Sequence, residues 1–245
     1  MYQKNDPVYL DSEQFGKAKA SFVTIIEILR SYTEGCRPIS LLDLGCANGS
    51  FLYHVRQCLE VGRAVGVDCS DQLTRFAREN QPGVEFITAD LQKPLGEELK
   101  DFDICTCFGT LCLFDDIEFP LKNLIGSLRP GGLAIIYDLV NKYPVDVWMR
   151  YKEITDSTWR PAYNVRSEET WQRLICAIDA NIEIEITPFL MPYSLPETPD
   201  FMRAWTIGTE EVNHQLISGV GQKLDFSVIC AKKPLTGEAH EISTE

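Results

Sequence analysis

The segment from Ile39 to Ser50 constrains the fold of this 245-residue chain more than any other. Ile39 to Leu44 is a largely apolar run without polar alternation, as expected of a strand buried on both faces. It passes into the glycine-bearing loop Gly45-Cys46-Ala47-Asn48-Gly49 and then into a helical stretch from Ser50 to Leu59. The same order then repeats. Ala64 to Asp68, Val84 to Asp90, Phe102 to Phe108 and Leu133 to Asp138 read as the next four strands, with helices from Ser70 to Asn80 and from about Ile117 to Leu128. Ser70 suits an N-cap, and Pro130-Gly131-Gly132 is expected to stop the last of these helices. Strand and helix in strict alternation predict an α/β fold, with parallel strands, right-handed crossovers and helices on both faces.

The flanks extend this plan within a single domain, residues 1–245. Ser12 to Tyr32 is expected to be helical, with Phe15, Phe22, Ile25, Ile26 and Leu29 on one face, so that residues 1–36 form an N-terminal lid. Residues 38–140 make a ligand-binding half. Residues 141–222 hold a cap after the fifth strand, a helix from Ser167 to Ala177 capped by Ser167, and a sixth strand in which Ile182, Ile184 and Ile186 alternate with Glu183 and Glu185. Residues 223–234 contain a closing strand from Phe226 to Ala231, and 235–245 a loose polar tail.

Composition narrows the partners. A formal net charge of −13 repels a phosphate backbone, and no Lys/Arg run reverses it locally, so nucleic acid is not the expected partner. No apolar run reaches the length of a membrane span, and the N-terminus lacks a signal-peptide pattern. Nine cysteines without scaffold spacing imply reduced thiols in a cytoplasm. The three histidines, His54, His214 and His240, lie far apart without zinc spacing, so no metal is expected.

Ligands of open parallel sheets sit at the carboxyl ends of the strands. The first end carries Gly-x-x-x-Gly, not the Gly-x-Gly-x-x-Gly of a diphosphate-binding turn, which argues against a dinucleotide. The second end is Val65-Gly66-Val67-Asp68, and Asp68 lies 25 residues after Asp43 (68 − 43), one helical crossover away. A carboxylate there accepts hydrogen bonds from ribose hydroxyls. The third end, Thr88-Ala89-Asp90-Leu91, brings another carboxylate, and the fourth, Cys107-Phe108-Gly109, a floor.

Asp43-Leu44-Gly45-Cys46-Ala47-Asn48-Gly49, Val67-Asp68, Ala89-Asp90-Leu91 and Leu128-Arg129-Pro130-Gly131-Gly132 together resemble the class I S-adenosylmethionine-dependent methyltransferase family. The resemblance covers about residues 38 to 140 and implies a doubly wound, mostly parallel seven-stranded sheet with an antiparallel last strand. It further implies S-adenosylmethionine as cofactor and S-adenosylhomocysteine as product. Asp43, Gly45, Cys46, Ala47, Asn48 and Gly49 would approach its methionine and ribose parts, Asp68 with Cys69 the ribose, Asp90 with Leu91 the adenine, and Cys107 with Phe108 the methionine end. Many members carry glycine where this chain has Ala47.

The expected reaction is in-line methyl transfer to an O or N atom of a small molecule, with the acceptor held about 3 Å from the methyl carbon. Asp138 and Tyr143 are the candidate bases. Trp148, Arg150 and Tyr151, in an aromatic segment past the fifth strand, are the candidate substrate contacts. Cys46, Cys69 and Cys107 are expected to surround the cofactor. Cys46, beside a helix N-terminus, is expected to ionise easily and to be shielded by ligand, with Cys36 as an outside reference. Two other readings stay open: a non-catalytic S-adenosylmethionine binder and a nicotinamide-dependent dehydrogenase. Oligomeric state is not legible.

Overall fold

The computed structural model describes residues 9–10, 15–33, 38–198 and 203–235. The central strands are β1 (Ile39–Leu44), β2 (Val61–Asp68), β3 (Glu85–Thr88), β4 (Phe102–Phe108) and β5 (Leu128–Asn141), joined by helices α2 (Ser50–Cys58), α3 (Asp71–Asn80) and α4 (Glu118–Gly126). An earlier helix, α1 (Ala20–Thr33), leads into β1. After β5 come the two-residue strands β6 (Arg150–Tyr151), β7 (Arg160–Pro161) and β8 (Arg166–Ser167), helix α5 (Glu168–Cys176), and β9 (Glu183–Pro188), β10 (Ala204–Ile207), β11 (Gln215–Ser218) and β12 (Phe226–Lys232).

The sheet runs β3-β2-β1-β4-β5-β12-β9, with β8 added beside β5 at Val140 and Asn141. Strands β1 to β5 are parallel, and β12 enters antiparallel between β5 and β9. This is the expected doubly wound sheet with its antiparallel last strand. The order reverses between β1 and β4, so the crevice for a ligand opens there.

Alternation along each strand divides the core. Leu42, Leu44, Val65, Val67 and Ile136 face one layer with Leu121 and Leu124 of α4 and Trp171 of α5. Leu41, Ala64, Ile104 and Ile135 face the other, with Phe22, Ile25 and Leu29 of α1 and Phe51 and Leu52 of α2. A third cluster of Leu139, Leu216 and Leu224, with Tyr163, Met191 and Phe226 against it, ties the late insertions to the sheet. Helix ends follow the expected caps: Ser70 Oγ accepts from Leu73 N and Ser167 Oγ from Thr170 N, each satisfying an amide with no intrahelical partner.

Two expectations about these elements need correcting. Pro130-Gly131-Gly132 does not end a helix. α4 already stops at Gly126, and the three residues lie inside β5, where the pairing with β4 shifts between Phe102 and Ile104. Gly131 takes φ +74, a conformation that bends the strand entrance without cost only in glycine. The expected helix from Ser12 to Tyr32 is not continuous: Ser12 lies outside the described residues, the chain is non-helical from Gly16 to Lys19, and α1 begins at Ala20. Phe15 lies apart from α1 and packs its ring 5.1 Å from Tyr53, while its carbonyl accepts from Ser50 Oγ. A carbonyl bound to α2 in this way is not committed to an i+4 amide. Among the described residues no helix is long and apolar enough to cross a membrane.

Candidate functional site

The loop after β1 is held both by β2 and by its own turn. Gly45 N and Cys46 N both donate to Val67 O, at 2.8 and 3.0 Å. Gly45, Ala47 and Gly49 have φ of +76, +48 and +76, so three of five loop residues are left-handed. Such conformations cost an L residue roughly 1–2 kcal/mol, and Ala47 bears this where glycine would not. Gly49 leads into α2, donates to Cys46 O at 2.8 Å and accepts from Gln81 Nε2 at 2.9 Å.

The carboxylate of Asp68 is fixed against this loop. Its Oδ2 accepts from Ala47 N and its Oδ1 from Ser70 N, both at 2.9 Å, so the first loop and the start of α3 orient one side chain at the tip of β2. Asp43 is buried beneath, its Oδ1 accepting from Thr106 Oγ1 at 2.7 Å. Burial pushes its pKa up to about 7, against the Thr106 hydrogen bond.

That shift carries a sign. A native pKa near 7 against an unfolded value of 3.8 means the native state holds more proton between those limits. Stability therefore falls as pH rises from about 4 to 7 and is flat above. In Asp43→Asn the amide oxygen can still accept from Thr106, and the charged form no longer exists. The stability difference, variant minus wild type, should rise across that window and then level. Denaturant unfolding of both proteins from pH 4 to 8 checks this; parallel curves would contradict it.

Two cavities meet at this strand end. The smaller, about 60 Å³, is lined by Asp43, the Gly45–Asn48 loop, Ser50 and Phe51. The larger, about 330 Å³, is lined by Gly109, Tyr137, Tyr163, Tyr193, Arg203 and Phe226 among others. Tyr9, Lys19, Phe22 and Phe108 line both. Phe108 packs edge-on to Phe51 at 4.5 Å, and Tyr137 stacks on Phe226 at 4.6 Å. Gly109 has φ +59 and nothing within 4 Å of where a Cβ would stand, so the backbone at the end of β4 is open to a ligand.

Residues 41–132 match a family model described as a methyltransferase domain. Over these residues the chain is similar to a methyltransferase domain. A dTDP-4-amino-2,3,4,6-tetradeoxy-D-glucose N,N-dimethyltransferase from Saccharopolyspora spinosa is 31% identical over 102 residues, 40% of this chain and 39% of that relative. A trans-aconitate 2-methyltransferase from Azoarcus sp. (strain BH72) is 31% identical over 97 residues, 40% of this chain and 38% of the relative. The match thus spans about two fifths of either relative's length. An S-adenosylmethionine-dependent methyltransferase from Mesorhizobium loti shares the fold, with TM-score 0.55 and 18% identity over 84% of this chain and 96% of that one.

Of the other residues expected at the site, Cys46 and Asn48 line the smaller cavity, and the surroundings of the rest differ. The thiols of Cys46 and Cys107 are buried in the two core layers, and burial pushes both well above the ordinary thiol range. Desolvation of the Cys46 thiolate opposes the easy ionisation expected beside a helix N-terminus. Cys69 is exposed, and Cys36 lies outside the described residues. Leu91 turns into the core, and Asp90 is exposed with Oδ1 accepting from Gln92 N at 3.0 Å. Asn48 is buried, donating to Tyr9 O at 2.6 Å and accepting from Ser50 N at 3.1 Å.

Neither proposed base lines either cavity. Asp138 is fully buried and takes Cys112 N at 3.0 Å and Leu139 N at 2.7 Å, so it anchors the turn at 111–113. Burial raises its pKa to about 6 against those two hydrogen bonds, and Arg166 is the nearby countercharge. Tyr143 is 61% exposed beside Lys142. The segment with Trp148, Arg150 and Tyr151 lies on the outer surface. Trp148 is 47% exposed, Arg150 pairs with Asp115 at 2.7 Å, and Tyr151 belongs to the β6–β7 ribbon. None of the three lines either cavity. The wall comes instead from Tyr163 further along that segment, Tyr137 of β5, the insertion between β9 and β12, and Lys19 and Tyr9. No local pattern marks Lys19, Tyr137 or Arg203, because they converge from distant parts of the chain.

Proposed function

We propose that this chain is an S-adenosylmethionine-dependent methyltransferase that acts on an O or N atom of a small molecule in the cytoplasm. The observation that carries this reading is the pair of cavities that meet at Phe22, Phe108 and Lys19, the smaller under the Gly45–Asn48 loop. The donor set fits the cofactor. On this reading the fixed carboxylate of Asp68, beside the loop, would take the ribose hydroxyls, the loop presents backbone rather than bulk, and Gly109 leaves space at the larger cavity. When bound, the cofactor supplies a methyl group on a sulfonium sulfur.

The chain's own part is to bind, orient and exclude water. Phe22 and Phe108 form an apolar collar between the cavities, which strengthens electrostatic contacts inside it. Tyr137 lines the acceptor side, and burial, with Asp138 next in effect, drives its pKa far above the ordinary phenol range. It therefore stays protonated and serves as a hydrogen-bond donor, not a base. Small-molecule substrates in the names of the relatives, a sugar amine and trans-aconitate, support the acceptor class.

Calorimetry with S-adenosylhomocysteine and with NAD tests the reading. Saturable binding of the first and none of the second is expected. Binding of NAD alone, or of neither, would remove it, and mass spectrometry of a co-purified ligand gives an independent check.

A further inference from the structure

The segment after β5 leaves large apolar side chains in water. Tyr143, Val145, Val147, Trp148, Ile154 and Trp159 are all exposed, Trp159 by 66%. Strands β6 and β7 form a sheet of only two strands, whose stability depends on what its faces pack against. Trp148, Arg150 and Lys152 are exposed while Met149 and Tyr151 between them are half-buried, so the ribbon has one outer face. Trp159 belongs to that face, since Lys152 Nζ lies 5.7 Å from its ring centre. Contiguous exposed apolar surface of this kind marks a docking site, and Trp, Tyr and Arg are the residues that dominate contacts between proteins.

Charge decides what covers it. Residues 142–166 carry five basic and three acidic side chains, whereas the remainder carries 18 basic (23 − 5) and 33 acidic (36 − 3). Two copies of so acidic a chain repel each other over most of their surface, and least at this segment. An acidic turn stands beside the outer face: Arg150 pairs with Asp115 at 2.7 Å, and Asp116, Glu118 and Phe119 follow, all exposed. One patch thus sets tryptophans, cations and carboxylates side by side, a self-complementary arrangement under a two-fold rotation. An anionic lipid surface fits less well. Of the five cations, Arg150 and Arg160 are paired with Asp115 and Asp156 and Arg166 is buried, which leaves Lys142 and Lys152.

We infer that this face is the contact between two copies of the chain related by a two-fold axis. Trp148 and Trp159 form its centre, and Lys152 of each copy lies against the acidic turn at 115–118 of the other. The inference goes beyond the methyl-transfer reading and does not depend on it.

Sedimentation velocity of the full chain at about 20 µM, where an interface of standard size is populated, tests this. The wild type is expected to run as a dimer. Trp148→Ser and Trp159→Ser should each weaken it about thirtyfold or more, the loss of a central aromatic. Trp159 is the more exposed of the two, so its variant keeps the fold, which a melting curve verifies. Val23→Ser, at an exposed apolar position on α1, should leave the dimer intact. Lys152→Glu should weaken it, and Lys152→Glu together with Asp116→Lys should restore it. A monomeric wild type, a dimer that survives in folded Trp159→Ser protein, a dimer lost in Val23→Ser, or no recovery in the charge-swapped chain would each overturn the inference. A monomer that binds vesicles of phosphatidylcholine and phosphatidylglycerol would assign the face to lipid instead.

Discussion

Replacing Asp68 by Ala should weaken binding of S-adenosylhomocysteine about ten- to hundredfold, the 1.5–3 kcal/mol range of a charged hydrogen bond. The side chain does two things at once. Its oxygens hold Ala47 N and Ser70 N, which sets the loop after β1 against the start of α3, and on the proposed reading it meets the ribose hydroxyls. Alanine removes both, so some loss of melting temperature accompanies the loss of affinity. Asp68→Asn separates the effects. Its amide nitrogen must face one of the two backbone N–H donors, so a single loop contact is lost while one oxygen remains. Affinity should therefore fall in the order wild type, Asn, Ala. Calorimetry well below each protein's melting temperature measures this. Unchanged affinity in a folded Asp68→Ala protein would remove Asp68 from the site.

Gly45→Ala should lower stability by about 2–5 kcal/mol, which for a chain of this size is about 5–15 °C in melting temperature. Two costs add. The backbone there has φ +76, and a Cβ would stand 2.3 Å from Thr110 Oγ1, 2.8 Å from its Cγ2 and 3.0 Å from its Cβ. No rotation of so short a side chain clears all three atoms. A double variant, Gly45→Ala with Thr110→Ala, removes two of the three and should recover the steric part while the backbone strain remains. A single variant that melts within about 2 °C of wild type, a shift worth under 1 kcal/mol in a chain this long, would show that the loop is looser than described.

The elements that could be read from sequence are those whose environment is uniform along their length. β1 and β4 begin and end where the apolar runs do, because both are central and buried on both faces. Ser70 and Ser167 marked their helices correctly, since a capping hydroxyl acts within three residues. The edge strand β3 is shorter than its apolar run, Glu85–Thr88 against an expected Val84 to Asp90, because on one side it has no neighbour to extend the ladder. β5 is longer than its run, as pairing with β4 carries strand geometry back to Leu128 and pairing with β8 carries it out to Asn141.

The thiols show what a strand end cannot tell by itself. Cys46, Cys69 and Cys107 do lie at strand ends, but side chains there alternate between core and crevice. Whether a residue points inward depends on its parity in the strand and on what packs beneath it. Gly66 illustrates this: a Cβ there would stand 2.8 Å from Cys46 Sγ, so the thiol occupies space that glycine in β2 leaves open.

By itself the sequence determined the order of strands and helices, the glycine positions of the loop after β1, and the acidic residue one crossover later. All of these depend on chemistry within about 30 residues of chain. Only the tertiary structure decided which residues wall the second cavity. Tyr9, Lys19, Phe108, Tyr137 and Arg203 meet there from segments up to 194 positions apart (203 − 9). Long-range packing of that kind leaves no period, motif or spacing in the chain. The aromatic segment at 143–159, conspicuous in sequence, lies outside the cavity because Asn164 and Arg166 bind it down onto the carbonyls of Leu111 and Phe114 instead.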